Sequence, residues 1–330
     1  MAAAKDARPA IGIIGAGIMG ERMLGAILEP ASGIVRAAGI WDPAPAALAR
    51  IGSTAPGVPL LASAAEVIAA SDCVYIASPP ASHLGHARAA LAAGKTVFCE
   101  KPLAVDYDDA RAFVAEAGKR GAVNFPFASS LGVATLAKWI EDGLVGPLKS
   151  ISIEVAFATW PRSWQVDAAA WLDAPAQGGF TREVVSHFLF LSRRLVGPLH
   201  DLESSASFPE PGKSERRIEA RLMAAGVPIA LTGSIGTTAK DDHNVWTLEG
   251  ANGAVRLCDW SIAERRMPDG TWQPDPNAMP NPQARPLVLK RQLEGVAKLV
   301  RGEPHHLATL PEALDVQAMV EAILVSGTRA

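Results

Sequence analysis

Along the first 125 residues, short apolar runs alternate with longer amphipathic, alanine-rich stretches. The runs at 11–14, 34–41, 73–77, 96–99 and 122–125 are almost wholly apolar, the pattern of strands covered on both faces. The stretches between them, 18–28, 44–51, 63–70, 81–93 and 106–119, read as helices. Ser63, with Glu66 three residues on, forms a capping box that marks one helix start. Strand and helix in alternation predict a parallel sheet with helices on both faces, and right-handed crossovers make the doubly wound α/β arrangement its topology.

The pattern changes after about Pro126. A helix over 132–142 is followed by long strand-like segments at 150–159, 216–224, 229–235, 245–249 and 254–258. Ala251-Asn252-Gly253 and Pro268-Asp269-Gly270 carry the turn residues of hairpins, so an antiparallel sheet is expected. The proline-rich stretch 274–286 reads as an irregular loop, and helices over 287–300 and 311–326 close the chain. The division expected is an α/β domain over 1–126 and an α+β domain over 127–330, the terminal helices being candidates to pack back on the first.

A length of 330 residues suits two domains of roughly 100–200 residues each. With 49% hydrophobic and 20% charged residues the chain can fill two ordinary cores. A net charge of −3 with scattered basic residues offers no footprint for nucleic acid. Cys73, Cys99 and Cys258 lie far apart without a CxxC pair, which excludes a disulfide framework and a structural zinc site. Lys5, Asp6, Arg8 and Pro9 stand where a signal peptide would have an apolar segment, and no run approaches the roughly 18 apolar residues of a membrane span. A cytoplasmic protein without membrane partners is expected.

Chemistry enters with Gly15-Ala16-Gly17-Ile18-Met19-Gly20, which follows the first strand and opens a helix. In that context Gly15 allows a tight turn, Gly17 lets a pyrophosphate approach the backbone, and Gly20 lets helix and strand pack closely. The N–H groups of the helix start, at Ile18 and Met19, face the phosphates. Asp42 ends the second strand 22 residues beyond Gly20, where a carboxylate bonds a ribose 2′-hydroxyl and repels a 2′-phosphate. NAD is therefore expected ahead of NADP. Ser78-Pro79-Pro80-Ala81-Ser82-His83 and Glu100-Lys101-Pro102 follow later strands, so Ser78, Pro79, His83, Glu100, Lys101 and Pro102 should line the cofactor crevice. Lys101 stands next to an acid where nicotinamide should lie.

In the second half, Glu183 and His187 are spaced i and i+4 on a helix-like stretch, 181–195, beside the apolar stripe of Phe180, Val184, Phe188 and Leu191. A histidine with a carboxylate one turn away, just after Gly178-Gly179, suits proton transfer near neutral pH. Trp160, Arg162, Trp164 and Trp171 supply aromatic faces and a guanidinium that could stack on a substrate ring and bind a carboxylate, or pack a loop against the sheet. His305-His306, Arg193-Arg194 and Arg265-Arg266 have no metal-ligand spacing and read as surface features.

Taken together, the glycine motif, Ser78-Pro79 with His83, the helix end Ala92-Ala93-Gly94-Lys95, Glu100-Lys101-Pro102, Gly143-Leu144-Val145-Gly146, Gly178-Gly179 and Glu183-Val184-Val185-Ser186-His187 resemble the glucose–fructose oxidoreductase / inositol dehydrogenase / rhizopine-catabolism (Gfo/Idh/MocA) family. The resemblance implies a Rossmann domain joined to an α+β domain with an open, mostly antiparallel sheet. It also implies metal-free exchange of hydride between nicotinamide and a hydroxyl or carbonyl carbon of a sugar, polyol or related cyclic compound. Lys101 resembles the family's lysine at substrate and nicotinamide, His187 its acid/base, and Glu183 its substrate-binding carboxylate. Glu183 replaces the commoner aspartate, and an arginine frequent in the family is missing from Asn124-Phe125-Pro126-Phe127-Ala128. By analogy the open sheet implies pairing of copies as a dimer or tetramer. A redox-neutral enzyme with tightly held NAD, or a non-catalytic cofactor sensor, would use the same fold.

Overall fold

A computed structural model describes residues 6–329; the first five residues, including Lys5, lie outside them. The chain divides into two compact units, residues 6–129 with 286–311 and residues 130–285 with 312–329.

In the first unit the strands β1 (Ala10–Ile14), β2 (Arg36–Trp41), β3 (Cys73–Ile76), β4 (Thr96–Cys99) and β5 (Gly121–Val123) are mutually parallel, in the order β5-β4-β3-β1-β2. A short antiparallel strand, Ala308–Thr309, is added beside β5. Every residue of β1 and β3 is buried, which is why these strands read as continuous apolar runs. The helices are α1 (Ile18–Leu28), α2 (Pro45–Thr54), α3 (Ala64–Ala70), α4 (His83–Ala92) and α5 (Tyr107–Ala117). One core joins Ile11, Ile13, Tyr75 and Phe98 to Met23 and Ile27 of α1 and to Leu293 and Val296 from near the end of the chain. Burying each such large aliphatic side chain contributes about 1.5–3 kcal/mol. The strand order reverses between β1 and β3, so the crevice of this unit opens at their carboxyl ends, where Gly15 and Ser78 stand.

The capping box is present in a shifted form. Ser63 Oγ accepts from the Glu66 N–H at 3.2 Å, and the Glu66 carboxylate reaches back to the Ala62 N–H at 3.0 Å. Asp106 caps α5 in the same way, accepting from the Asp109 N–H at 2.7 Å.

The second unit begins with α6 (Leu131–Glu141), capped by Ser130, and is built on a sheet of β6 (Leu148–Phe157), β7 (Leu199–Phe208), β8 (Arg217–Ala224), β9 (Val227–Ile235), β10 (His243–Gly250), β11 (Ala254–Cys258), β12 (Ile262–Arg266) and β13 (Trp272–Pro274). Their order is β13-β12-β11-β10-β6-β9-β8-β7, with a short strand, Thr328–Arg329, beside β7. Among the described residues β6–β9 and β7 with Thr328–Arg329 pair in parallel and the remaining pairs are antiparallel. Burial alternates strictly along β8 and through the first seven residues of β9: Ile218, Ala220, Leu222, Ile229 and Leu231 face inward while Arg217, Glu219 and Arg221 are exposed. After β6 come the short helix α7 (Ala169–Leu172) and α8 (Ser186–Leu195), and the indole N–H of Trp246 donates to Ser192 Oγ at 2.9 Å, which ties the covered face to α8.

Three differences from the sequence reading have physical causes. The strands β7, β12 and β13 were not expected, because they are polar strands toward the two ends of the sheet whose partners are remote or charged: Arg256 of β11 pairs with Glu264 of β12 at 2.5 Å. The stretch read as a proline-rich loop up to residue 286 already contains the start of the helix Asn281–Val300, with Pro282 in the first turn, where its missing N–H costs nothing, and Pro286 inside. Residues 181–195 are not one α-helix. Thr181–Val185 form a π-turn, closed by the Ser186 N–H on the Thr181 carbonyl, and α8 continues from it.

Candidate active site

In the first unit the three glycines have the separate tasks their spacing implies. Gly15 has φ +104°, and a side chain there would meet the backbone of Ala77 at 2.6 Å. A side chain at Gly20 would collide with the Gly15 carbonyl. Gly17 faces open space, with nothing within 4 Å of an added Cβ, at the start of α1 where Ile18 and Met19 begin the helix. This is the room a pyrophosphate needs beside unpaired helix N–H groups, so the turn fits a dinucleotide.

Asp42 does more than wait for a ribose. Its Oδ2 accepts from the Ala16 N–H at 2.7 Å and its Oδ1 from the Ala44 N–H at 2.8 Å, so it fastens the glycine turn to the end of β2. Each oxygen keeps a further lone pair for a hydroxyl donor. Arg50, which the sequence reading missed, supports the same turn by donating to the Ala16 carbonyl at 2.9 Å while pairing with Glu21.

At the ends of β3 and β4 two residues expected to line the crevice turn inward instead. His83 is fully buried, and its two ring nitrogens meet the carbonyls of Ser78 (2.7 Å) and Pro102 (2.9 Å). Burial holds its pKa below the ordinary value. The ring lies between the two crevice loops, and in its neutral form the nitrogen that carries the proton donates to one of these carbonyls. Glu100 is also buried. Its Oε1 accepts from the Tyr75 hydroxyl and from the Asn124 amide at 2.6 Å, and the Asn124 carbonyl oxygen in turn accepts from Gln292. Burial, with the neighbouring carboxylate, pushes the Tyr75 phenol well above its usual pKa, so it remains a donor. This anchor fixes the backbone from which half-buried Lys101 and Pro102 project. Ser78 Oγ lies 2.7 Å from Ser82 Oγ, and Pro79 precedes the short 3-10 turn Pro80–Ser82. Tyr75, Asn124 and Gln292 went unread; the available signal was a polar group inside an otherwise apolar strand run, which must be hydrogen-bonded when buried.

In the second unit the segment carrying Glu183 and His187 is fixed from several directions. Arg182 pairs with Glu321 at 2.6 Å and donates to the carbonyls of Pro175 (2.8 Å) and Gly178 (2.9 Å). Glu215, fully buried and unsuspected from sequence, accepts from the Thr181 N–H at 2.7 Å, and burial raises its carboxyl pKa. Gly179 has φ +99°, and a side chain there would fall against the Glu215 carboxyl group. Glu183 is half-buried on the π-turn, and His187 is buried at the start of α8 with the Trp260 ring 5.4 Å away at 79°. Gly179→Ala is therefore expected to destabilise the protein by about 1–3 kcal/mol from backbone strain alone. The melting temperature should fall by about 2–4 °C per kcal/mol. Calorimetry showing an unchanged transition would contradict the account of this turn.

The tryptophan segment divides. Trp160 is buried, donates to the Leu172 carbonyl at 3.2 Å and packs on Phe157 and Phe180, so it is core. Arg162, for which substrate binding and loop packing were both open, is buried against Asp242 at 2.8 Å and Gln165 at 3.0 Å. A buried guanidinium needs such a counter-charge, and this one is already engaged. Trp164, stacked on Arg162 at 4.8 Å, is 44% exposed, and Trp171 is half-buried. Among the described residues no cluster of three or more His, Cys, Asp or Glu could hold a metal ion, and no helix is long and apolar enough to cross a membrane. Cys73, Cys99 and Cys258 are unpaired thiols, and burial pushes Cys73 up to about 12.

A parallel sheet with this glycine turn, Asp42 and a lysine at the end of β4 defines a nicotinamide-dinucleotide-binding Rossmann unit. Residues 10–126 match the family model of the oxidoreductase family with NAD-binding Rossmann fold. That match, to the Rossmann domain of the Gfo/Idh/MocA oxidoreductases, spans about the first third of the chain. An inositol 2-dehydrogenase of Cereibacter sphaeroides is 43% identical over 114 residues, 34% of this chain and 33% of the relative. The chain thus spans about a third of the length of the first curated relatives it matches. In fold, an oxidoreductase from Agrobacterium radiobacter, solved with NAD+, L-tartaric acid and magnesium, is similar over 97% of this chain and 96% of its own, with a TM-score of 0.81 at 19% identity. The WlbA dehydrogenase from Bordetella pertussis, solved with NADH and UDP-GlcNAcA, is similar over 98% and 96%, with a TM-score of 0.80 at 22% identity.

Proposed function

We propose that this chain is an NAD-dependent dehydrogenase acting on a hydroxyl or carbonyl carbon of a sugar, an inositol or a related cyclic polyol. The observation that carries the reading is one of geometry within a single unit: open room at Gly17 on α1 and an anchored Glu100-Lys101-Pro102 loop, both at carboxyl ends of strands in one parallel sheet. The substrate class is supported by the inositol 2-dehydrogenase match, which is strong for its length, and by the hydroxylated ligands of the two structural neighbours. Gly15, Gly17, Ile18, Met19, Gly20 and Asp42 hold NAD, which supplies the hydride acceptor when bound. In the oxidative direction His187 takes the hydroxyl proton, Lys101 stabilises the alkoxide charge, and Glu183 orients a neighbouring hydroxyl. A cytoplasmic setting and pairing of copies as a dimer or tetramer belong to the same reading.

The test is a panel of inositols, sugars, sugar acids and aromatic diols followed at 340 nm with NAD and with NADP. Reduction of NAD by at least one polyol is expected, with NAD bound more tightly than NADP in isothermal titration. Asp42→Ala should narrow that gap, and should weaken both cofactors because Asp42 also holds the glycine turn. Tighter binding of NADP by the unaltered protein would overturn the cofactor assignment, and a panel without turnover the activity.

A further inference from the structure

We infer that Trp260 is a positioning residue for His187, held to that task by Asp242; the inference rests on the reading of His187 as the acid/base. The hairpin between β11 and β12 closes through a turn in which the Ser261 N–H donates to the Cys258 carbonyl at 3.1 Å. Its two central residues, Asp259 (φ 46°) and Trp260 (φ 71°), both lie in the left-handed region. Turns of this form favour Asn-Gly or Asp-Gly, because a Cβ is disfavoured there, and a tryptophan is among the bulkiest choices. The backbone gains nothing from the indole, so its reason must be what the ring touches.

Three bonds hold the turn in this conformation. The Asp259 N–H donates to the Asn244 carbonyl at 3.1 Å, the Trp260 N–H to Asn244 Oδ1 at 2.9 Å, and the indole N–H to Asp242 Oδ2 at 2.9 Å. Asn244 is fully buried and donates to Asp242 Oδ1 at 3.0 Å, and Arg162 neutralises the same carboxylate at 2.8 Å. The indole so fixed ends against His187, with ring centroids 5.4 Å apart at 79°, and against Phe188 at 5.5 Å and 41°. The second side-chain torsion of histidine is broad, so packing has to choose the plane of the imidazole. An edge-on aromatic wedge makes that choice and aims the nitrogen that exchanges the proton. The chain Arg162–Asp242–Trp260–His187 also gives the buried Arg162 a task that does not require it to meet substrate.

Four variants of the full chain test this on the best substrate of the panel. Trp260→Leu should lower kcat by about 10-fold through loss of orientation, with the KM for NAD unchanged. Trp260→Phe, which keeps a ring but loses the N–H that Asp242 holds, should recover only part of the loss. Asp242→Asn leaves the indole in place with a weaker anchor. It should reduce kcat and, in parallel, the ring-current displacement of the His187 carbon-bound proton resonances, which are assigned by their loss in His187→Ala. This signature needs no turnover and stands if Trp260→Leu fails to fold. Normal kcat in folded Trp260→Leu, or unchanged His187 resonances and kcat in Asp242→Asn, would overturn the assignment while an inactive His187→Ala keeps the function intact. Undiminished turnover in His187→Ala would overturn both.

Discussion

Lys101→Ala should lower kcat by about 10²-fold or more, the scale on which a positioned charge stabilises a developing oxyanion. The loss should fall on turnover rather than on cofactor binding, because the two are supported by different parts of the first unit. On the proposed reading the phosphates would be held by the glycine turn, which is fastened by Asp42 and Arg50 through Ala16. Lys101 projects from a loop held by the buried Glu100, Tyr75 and Asn124 and by the His83 bond to the Pro102 carbonyl. Removing the Lys101 side chain beyond Cβ leaves every one of those bonds in place, so the melting temperature and the affinity for NAD should stay close to those of the unaltered protein. Steady-state kinetics with isothermal titration on the same preparation check both halves. Turnover near normal would take Lys101 out of the mechanism.

The first unit was legible because its determinants are local. Strands buried on both faces show as apolar runs, a capping serine stands beside the helix it starts, and the glycine turn occupies six consecutive residues. The second unit was less so, because its strands are completed by partners far along the chain. β6 finds β9 and β10 roughly 80 to 100 residues later, and the polar strands β7 and β12 carry too few apolar residues to announce themselves. The candidate site follows the same division. Glycines, Lys101 and His187 stand in short motifs and could be named, whereas what holds them is non-local. Gln292 reaches Asn124 across 168 residues, Asp242 reaches Arg162 across 80, and Glu215 reaches Thr181 across 34. For that reason His83 and Glu100, expected at the crevice, and Arg162, read equally as a substrate or a packing residue, are found bonded to remote protein partners. The π-turn has the same origin: i and i+4 spacing suggested an α-helix, while the bonds of Arg182 and Glu215 that fix the turn come from elsewhere.

His187→Ala should lose about 10²–10⁴ in kcat, the range for removal of a positioned proton-transfer group. The pH dependence supplies the sharper distinction. If His187 is the base in the oxidative direction, it must be neutral to take the hydroxyl proton, so the activity profile should carry a limb on its acidic side. Alanine at 187 removes that acidic limb and leaves a profile flat in the same window. Glu183 sits on the π-turn one turn before His187 and is half-buried, and its neighbour Arg182 is locked to Glu321, so the carboxylate is presented from a fixed backbone. Glu183→Gln keeps shape and part of the hydrogen bonding, so its main effect should be a higher KM for substrate, with a smaller loss in kcat and the acidic limb intact. The added methylene relative to the family's usual aspartate is what makes the opposite outcome informative. If the longer Glu183 reaches the reacting hydroxyl itself, Glu183→Gln would abolish the limb and His187→Ala would retain it. Both profiles, measured on one good substrate with saturating NAD, decide the assignment, and the second result would make Glu183 the acid/base and His187 the residue that orients substrate.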